Sequence, residues 1–463
     1  MQPLPIKEDK MANILDKVKT VVLLMFENRS FDHMLGHLSY EKINNQVDGL
    51  KSPLSNFNNI YKGDTYNAFA MKGDTQLPFD LPHELTDVSV QMAKSGVTGK
   101  FTMSGFVKSY ADTTKLPPNP QCQPMGFFKS TQAPITSFLA SRFCTCDRWF
   151  TPVPSSTQPN RTMAFFGDTS NHLTRSGLIN MDNSIFDWMT KAGIRWRVYH
   201  DGLSFFVLYP KLWHFVFDSN FRKYEDLAGD ILHEPEETAP QVIIVEPSYQ
   251  DAPHIGSDRP NDNHAPLAIG WGEEFLRNTY RALISNTKKW EGTVMITYYD
   301  EHGGFYDHVA PPAVTYQTKA NPPFSFASLG PRIPAIIASP LVKAGSVCHS
   351  QFDHTSVLNF LAEKFAPGKP VSATVTKRAA QGIASITEAL TNNIPWDPPQ
   401  PPTTPIIVQT ALGRTIQTAP QSDVAKSFEI AANEIIQKRP VDARRVYPEL
   451  LLWKEAVSKA RNG

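Results

Sequence analysis

Residues 21–26, VVLLMF, are six apolar residues with no polar break, and they run straight into Glu27 and Asn28. An apolar run without alternation is the pattern of a strand covered on both faces, as in a parallel sheet. Four more segments read as core strands: 194–202, 241–247, 292–299 and 332–340. Helical patterns lie between them. Phe275, Leu276, Tyr280, Leu283 and Ile284 recur at helical spacing within 272–286, and Asp353 is placed to cap a helix carrying Val357, Leu358, Leu361 and Phe365. Strands alternating with helices predict an α/β fold, a mostly parallel central sheet with helices on both faces.

Such a sheet binds its ligands just beyond the carboxyl ends of its strands. Glu27 and Asn28 stand at one such end. Asp300, Glu301, His302, Gly303 and Gly304 stand at another, after 292–299. Glu27 has no hydrophobic use, and Ser30 or Asp32 could cap the next helix without it. An adjacent Asp-Glu pair is unfavourable unless a cation or protons compensate, because like charges raise each other's pKa. The two glycines let backbone approach closely. Glu27, Asn28, Asp300 and Glu301 together make an oxygen-rich set suited to a divalent cation, Ca²⁺ or Mg²⁺ by ligand type. A salt-bridged loop and a helix cap are the plainer alternative.

A third segment, TPVPSSTQPNR (151–161), packs three hydroxyls between prolines and ends on Asn160 and Arg161. A metal lowers the pKa of a bound hydroxyl, and a nearby Arg neutralises an anionic substrate, so Asn160 and Arg161 are the expected substrate-binding residues. By chemistry alone Ser155, Ser156 and Thr157 are equal candidates for the nucleophile. His83, His264 and His354 each lie beside an Asp or Glu in a loop context, suiting proton transfer or support of a metal.

Composition narrows the partners. Lys+Arg and Asp+Glu are equal at 45 each, leaving no basic field for nucleic acid. No run approaches the roughly 18 apolar residues of a membrane-spanning helix. The first residues, MQPLPIKEDKMANILDK, lack the apolar core of a signal peptide, so the expected location is cytoplasmic or reached by another export route. Four cysteines form neither a disulfide framework nor a zinc pattern, and one of Cys144 and Cys146 is expected in the core. Long polar intervals at 39–104 and 117–132 are expected to shape the site. The organisation predicted is a catalytic body at 1–393, a proline-rich linker at 394–406 and a helical tail at 407–463. Val424, Phe428, Ala431 and Ile435 form one stripe in that tail and 450–457 a second, and both must dock to be buried.

The motifs FENRSFDHMLG (26–36), HELTD (from 83), CDRWFTPVPSSTQPNR (146–161), EPSYQD with NDNH (246–264) and ITYYDEHGGFYDHV (296–309) occur in one order across most of 18–366. In these the chain resembles the bacterial phospholipase C and acid phosphatase family, which includes the plant non-specific phospholipases C and belongs to the alkaline-phosphatase superfamily. The resemblance implies that Glu27, Asn28, Asp300 and Glu301 are metal ligands and that Thr157 is a metal-contacting nucleophile, with Zn²⁺ the favoured ion. It implies that His83 and His264 bind phosphate or protonate the leaving group, with Asp262 the acidic part of an NDxH motif. His354 matches more loosely a histidine used on a second metal, and His302 and His308 are candidate orienters. The expected substrate is a phospholipid such as phosphatidylcholine at a membrane surface, in a protein of bacterial origin. A broad acid phosphomonoesterase is the alternative, and a non-catalytic lipid- or host-binding protein a third reading. Where relatives carry acidic residues after the NDxH histidine, this chain has Ala265-Pro266-Leu267-Ala268.

Overall fold

A computed structural model describes residues 14–73, 76–253, 259–403 and 422–462. Residues 1–13, the end of the linker and 407–421, for which the sequence makes predictions, lie outside the described residues. An eight-stranded sheet organises the chain: β1 (Thr20–Phe26), β2 (Cys144–Cys146), β3 (Trp196–His200), β4 (Phe221–Lys223), β5 (Val242–Glu246), β6 (Thr293–Tyr299), β7 (Ala335–Ala338) and β8 (Val347–Cys348), in the order β8-β2-β7-β6-β1-β5-β3-β4. Every pairing is parallel except those of β7, which runs against both β6 and β2. The five apolar runs are therefore strands, as expected, and one of them is reversed.

All seven residues of β6 are buried, as are six of seven in β1. Side chains alternate between faces along a strand, so both faces of the sheet centre are covered. Each such Val, Leu or Ile contributes on the order of 1.5–3 kcal/mol. β2 was not predicted as a strand of the sheet. Both of its cysteines are buried, not one, because residues two apart share a face and that face is in the core.

β1 and β6 pair with Phe26 opposite Tyr299, so the residues that follow, Glu27-Asn28 and Asp300-Glu301, emerge side by side. Asn28 then turns the chain at φ 59°, a left-handed conformation that Asn tolerates. Ser30 caps the next helix by accepting from His33 N at 3.2 Å, which leaves Glu27 with no capping role. Opposite it, Gly303 (φ +62°) lies so close to Asn28 that a Cβ would sit 2.1 Å from the Asn28 carbonyl oxygen. Only glycine allows the two strand ends to meet this closely.

The polar stretch 39–104 carries more structure than a loop. Helices α1 (Leu85–Met92) and α2 (Phe106–Thr114) pack with Leu77, Leu81, Met103, Phe305 and Tyr306 into a second small core. The helix at α3 (Thr157–Phe166) is wholly buried, α4 (Gly270–Ile284) matches the predicted stripe, and α5 (Thr355–Phe365) begins where Asp353 accepts from Thr355 N at 2.7 Å. In the tail, α6 (Asp423–Lys438) and α7 (Glu449–Asn462) carry the two stripes. Val424, Phe428, Ala431, Ile435 and Leu450 all join the main core.

Candidate active site

Four segments converge beyond the carboxyl ends of β1 and β6. The turn before α3 is built by Asn160, whose side chain accepts from Val153 N (3.1 Å) and donates to the carbonyls of Ser155 (2.8 Å) and Ser156 (3.0 Å). Thr157 is thereby fixed as the first residue of α3, at the positive end of the helix dipole. Arg161 follows one turn later, on the same face as Thr157. Its guanidinium donates to Asp300 Oδ2 through Nε (3.0 Å), pairs with Glu27 Oε1 through Nη2 (2.9 Å) and donates to the Tyr249 hydroxyl (3.1 Å). Because Arg161 bonds both carboxylates, the helix face bearing Thr157 is turned toward the two strand ends.

Arg161 is thus the cation that the acidic strand ends require. It sits between the rings of Phe205 and Tyr249, 4.6 and 5.0 Å from their centroids. Asn160 and Arg161 were expected to bind substrate. The structure engages every polar atom of Asn160 in the turn, and only 1% of the Arg161 side chain is exposed. Both brace the site from within.

The histidines meet at Asn28. His264 Nε2 lies 2.8 Å and His83 Nε2 3.2 Å from Asn28 Nδ2. His264 Nδ1 is 3.0 Å from Glu27 Oε2, and its Nε2 is 3.2 Å from Asp80 Oδ2. Burial would lower the pKa of His264, yet Asp80 and Glu27 outweigh it and hold the ring well above the ordinary histidine value. Burial opposes the charge on His83 as well, but Glu301, Asp80 and Glu84 raise it to about 9. The neighbouring carboxylates thus favour the protonated form of each ring. Asp262 accepts from His264 N (3.0 Å) and Gln250 N (2.6 Å), which fixes the NDNH loop, and burial raises its carboxyl. Burial likewise raises Asp300, with Arg161 opposing.

Supporting contacts separate the remaining histidines. His302 lies 3.1 Å from Glu301 Oε2 and 2.7 Å from Gln91 Oε1, as an orienter of Glu301 would. His354 is different from expectation. Trp149 Nε1 donates to its Nδ1 (3.2 Å), and its Nε2 donates to the Asp300 carbonyl (2.8 Å). With both nitrogens engaged and burial pushing its pKa down to about 4, the ring is a neutral brace with no nitrogen left for a second metal. His308 lies 2.7 Å from Asp32 Oδ2, in a separate cluster with Asp307 and Arg332, away from Asp300 and Glu301.

The donor set fits a cation. Asn28 Oδ1 and Glu301 Oε1 are buried and accept no hydrogen bond, while Glu27 Oε1 is held in the ion pair with Arg161. Buried oxygens in that state are costly without a positive partner. Among the described residues, ligand atoms of Glu27, Asp262 and His264, and of Asp80, His83 and His264, also lie within 4.8 Å of one another. Asp80, Glu84 and Tyr249 were missed from sequence. Glu84 Oε2 accepts from the Ser156 hydroxyl (2.7 Å), which ties Ser156 down and leaves Thr157 as the hydroxyl without such a bond. The Ala265–Ala268 stretch that departs from the relatives' pattern links this site to the small core: Ala265 is buried in it, and the Pro266 carbonyl accepts from Leu77 N (2.8 Å).

A helix end bearing the Thr157 hydroxyl, a set of buried oxygens and two histidines thus gather at the strand ends of the α/β sheet, and the family and relatives of the chain make it a phosphoric ester hydrolase. The chain belongs to the Phosphoesterase family, which it matches over residues 18–366. It is 29% identical over 372 residues to non-specific phospholipase C3 of Arabidopsis thaliana, covering 73% of this chain and 68% of that protein. Against non-specific phospholipase C4 of the same plant the identity is 30%, covering 73% and 66%. The non-hemolytic phospholipase C of Burkholderia pseudomallei is 26% identical, covering 79% of this chain and 57% of that protein. The chain thus spans about two thirds of the length of these plant relatives and just over half of the bacterial one. Among solved structures, a phosphonate monoester hydrolase of Silicibacter pomeroyi has 13% identity and a TM-score of 0.34 over 58% of this chain and 73% of its own. An alkaline-phosphatase-superfamily protein of Vibrio parahaemolyticus has 11% and 0.32, over 57% and 65%.

Proposed function

We propose that the protein is a metal-dependent phospholipase C that cleaves phosphatidylcholine-like lipids to diacylglycerol and a phosphorylated headgroup through a phospho-threonine. The observation that carries this reading is the pair of ion pairs from Arg161 to Glu27 and Asp300, which directs the Thr157 face of α3 at two strand ends where Asn28 Oδ1 and Glu301 Oε1 are buried without hydrogen bonds. Glu27, Asn28, Thr157, Asp300 and Glu301 would hold the metal, with Zn²⁺ favoured. When bound, it supplies Lewis-acid charge for the phosphoryl oxygens and a lower pKa for the Thr157 hydroxyl. The chain's own groups do the rest. Thr157 Oγ1, its proton released to solvent beforehand, forms the new bond to phosphorus, and the dipole of α3 favours the anionic phosphoryl group beside it. As the bond to the lipid alcohol breaks, His264 or His83, whose protonated forms the neighbouring carboxylates favour, gives that oxygen a proton. Water then attacks phosphorus from the opposite side, giving a proton to the histidine that the first step left neutral, and the bond from phosphorus to Thr157 Oγ1 breaks to free the headgroup and the Thr157 oxygen. The phospholipase C relatives support the lipid substrate.

Metal removal and substrate comparison test this together. Chelation should abolish release of nitrophenol from nitrophenyl phosphocholine, and a divalent metal should restore it. Faster turnover of nitrophenyl phosphate would favour the phosphomonoesterase reading. Full activity in metal-free protein would contradict the metal-dependent mechanism.

A further inference from the structure

Helix α6 lies outside residues 18–366, where the family match ends, yet it reaches the site from behind at two consecutive residues. Ser427 is fully buried. Its hydroxyl accepts from Gln158 Nε2 (3.2 Å) and from Gly177 N (3.0 Å), while it lies 2.7 Å from the Asp423 carbonyl. Gln158 is the residue after Thr157, and its Oε1 accepts from Arg175 N at 3.1 Å. Ser427 thus closes a set of bonds around the first turn of α3. Phe428, 1% exposed, packs against Phe205 (centroids 5.8 Å apart, planes at 85°) and against Tyr249 (6.0 Å). These are the two rings that flank the Arg161 guanidinium.

Ordinary core packing explains burial on this helix, and Ile435, two turns further along and equally buried, needs no other explanation. Position distinguishes Ser427 and Phe428. Their direct neighbours are the residues that hold Arg161 and Thr157. Arg161 satisfies Glu27 and Asp300 through a planar fork, so a tilt of that plane disturbs both carboxylates at once. Displacement of about 1 Å in a positioned group costs up to about a hundredfold in rate.

We propose that Phe428 and Ser427 are positioning residues for the phosphoryl-transfer site: Phe428 fixes the plane of Arg161 through Phe205 and Tyr249, and Ser427 fixes the first turn of α3 through Gln158. This inference rests on the proposed function, in that it gives the tail a part in that same chemistry.

The experiment compares Phe428→Ala, the milder Phe428→Leu and Ser427→Ala with Ile435→Ala in the full chain. It measures thermal unfolding and the kcat and KM for nitrophenyl phosphocholine. It also follows the Nε–H resonance of Arg161 in arginine-labelled protein. Phe428→Ala should lose about tenfold or more in kcat, with KM little changed, and Phe428→Leu less. Ser427→Ala should also lower kcat, and both Phe428 variants should shift the Arg161 resonance. Ile435→Ala should lower the melting temperature with kcat and the Arg161 resonance unchanged. Equal kcat losses in Phe428→Ala and Ile435→Ala, or folded Phe428→Leu with wild-type kcat and an unmoved Arg161 resonance, would overturn the inference. A wild-type protein with no phosphoesterase turnover would contradict the proposed function. The Arg161 resonance would then decide the positioning claim on its own.

Discussion

His264 is a single imidazole between two carboxylates, Glu27 at 3.0 Å and Asp80 at 3.2 Å. Such a ring keeps its proton until a stronger base appears, and the departing alkoxide of a phosphoric ester is one. The His264→Ala variant should therefore slow esters of poor leaving groups far more than nitrophenyl esters, whose leaving group needs little protonation. Parallel kinetics on an alkyl and a nitrophenyl phosphodiester check this. Equal losses on both would make His264 a binding residue. At this scale much was legible in the sequence: Glu27, Asn28, Asp300 and Glu301 stand where apolar strands end, and nothing hydrophobic accounts for them. The choice of Thr157 over Ser156 was not legible from chemistry. It depends on a bond from Ser156 to Glu84, 72 residues away, and no local pattern encodes that. Asp80 was hidden for the same reason. His354 looked like a ligand because its two partners, Trp149 and the Asp300 carbonyl, are far away in the chain.

Elements carry the second layer. α4 is anchored by Glu273, a buried carboxylate that accepts from Ile135 N (2.6 Å), Thr136 N (3.1 Å) and the Thr136 hydroxyl. Burial pushes its pKa up from 4.5 to about 7, the hydrogen bonds from Thr136 and Ile135 offsetting only part. Between these two values the folded protein keeps a proton that the unfolded chain releases. This contribution to stability is present below the unfolded pKa and is lost as pH rises through the folded one, at most about 1.4 kcal/mol per pH unit. Gln at 273 retains one acceptor and lets the Thr136 hydroxyl accept instead. Thermal unfolding at pH 5 and pH 8 should show a smaller drop for Glu273→Gln than for the wild type. An identical drop would mean that Glu273 is ionised throughout. Strands such as β1 and β6 could be read directly because they are covered on both faces. The reversed direction of β7 could not, since antiparallel and parallel central strands share one apolar pattern. β2 and β8, three and two residues long, are too short to show any period. α1 and α2, within and just after the 39–104 stretch, were masked by polar outer faces around a core that closes only with Phe305 and Tyr306 from elsewhere.

Across the whole molecule, the segment after 393 is fastened along its described length. Trp396 stacks near Phe143 (5.1 Å) and donates to the Val342 carbonyl (3.2 Å), and the Pro399 carbonyl accepts from Tyr280 at 2.8 Å. Beyond it, Phe428, Ile435, Tyr447 and Leu450 enter the main core. The sequence requires these stripes to dock, and a docked tail could either gate the pocket or clamp the body. Their burial against Phe205, Tyr249 and His200 favours a clamp. Truncation after Asn393 should lower the melting temperature by about 5 °C or more or cause aggregation, as measured by scanning calorimetry and light scattering. A stable truncated protein with raised turnover of soluble substrate would restore the gate.

The central claim is that Thr157 carries the phosphoryl group in mid-reaction. The direct measurement is rapid acid quench of the metal-loaded enzyme during turnover of nitrophenyl phosphocholine, followed by mass spectrometry of the peptide spanning 151–161. A phosphocholine adduct on Thr157 should form and decay at catalytically competent rates and be absent, along with turnover, from Thr157→Ala. An adduct on Ser155 or Ser156, or full turnover by Thr157→Ala, would contradict it.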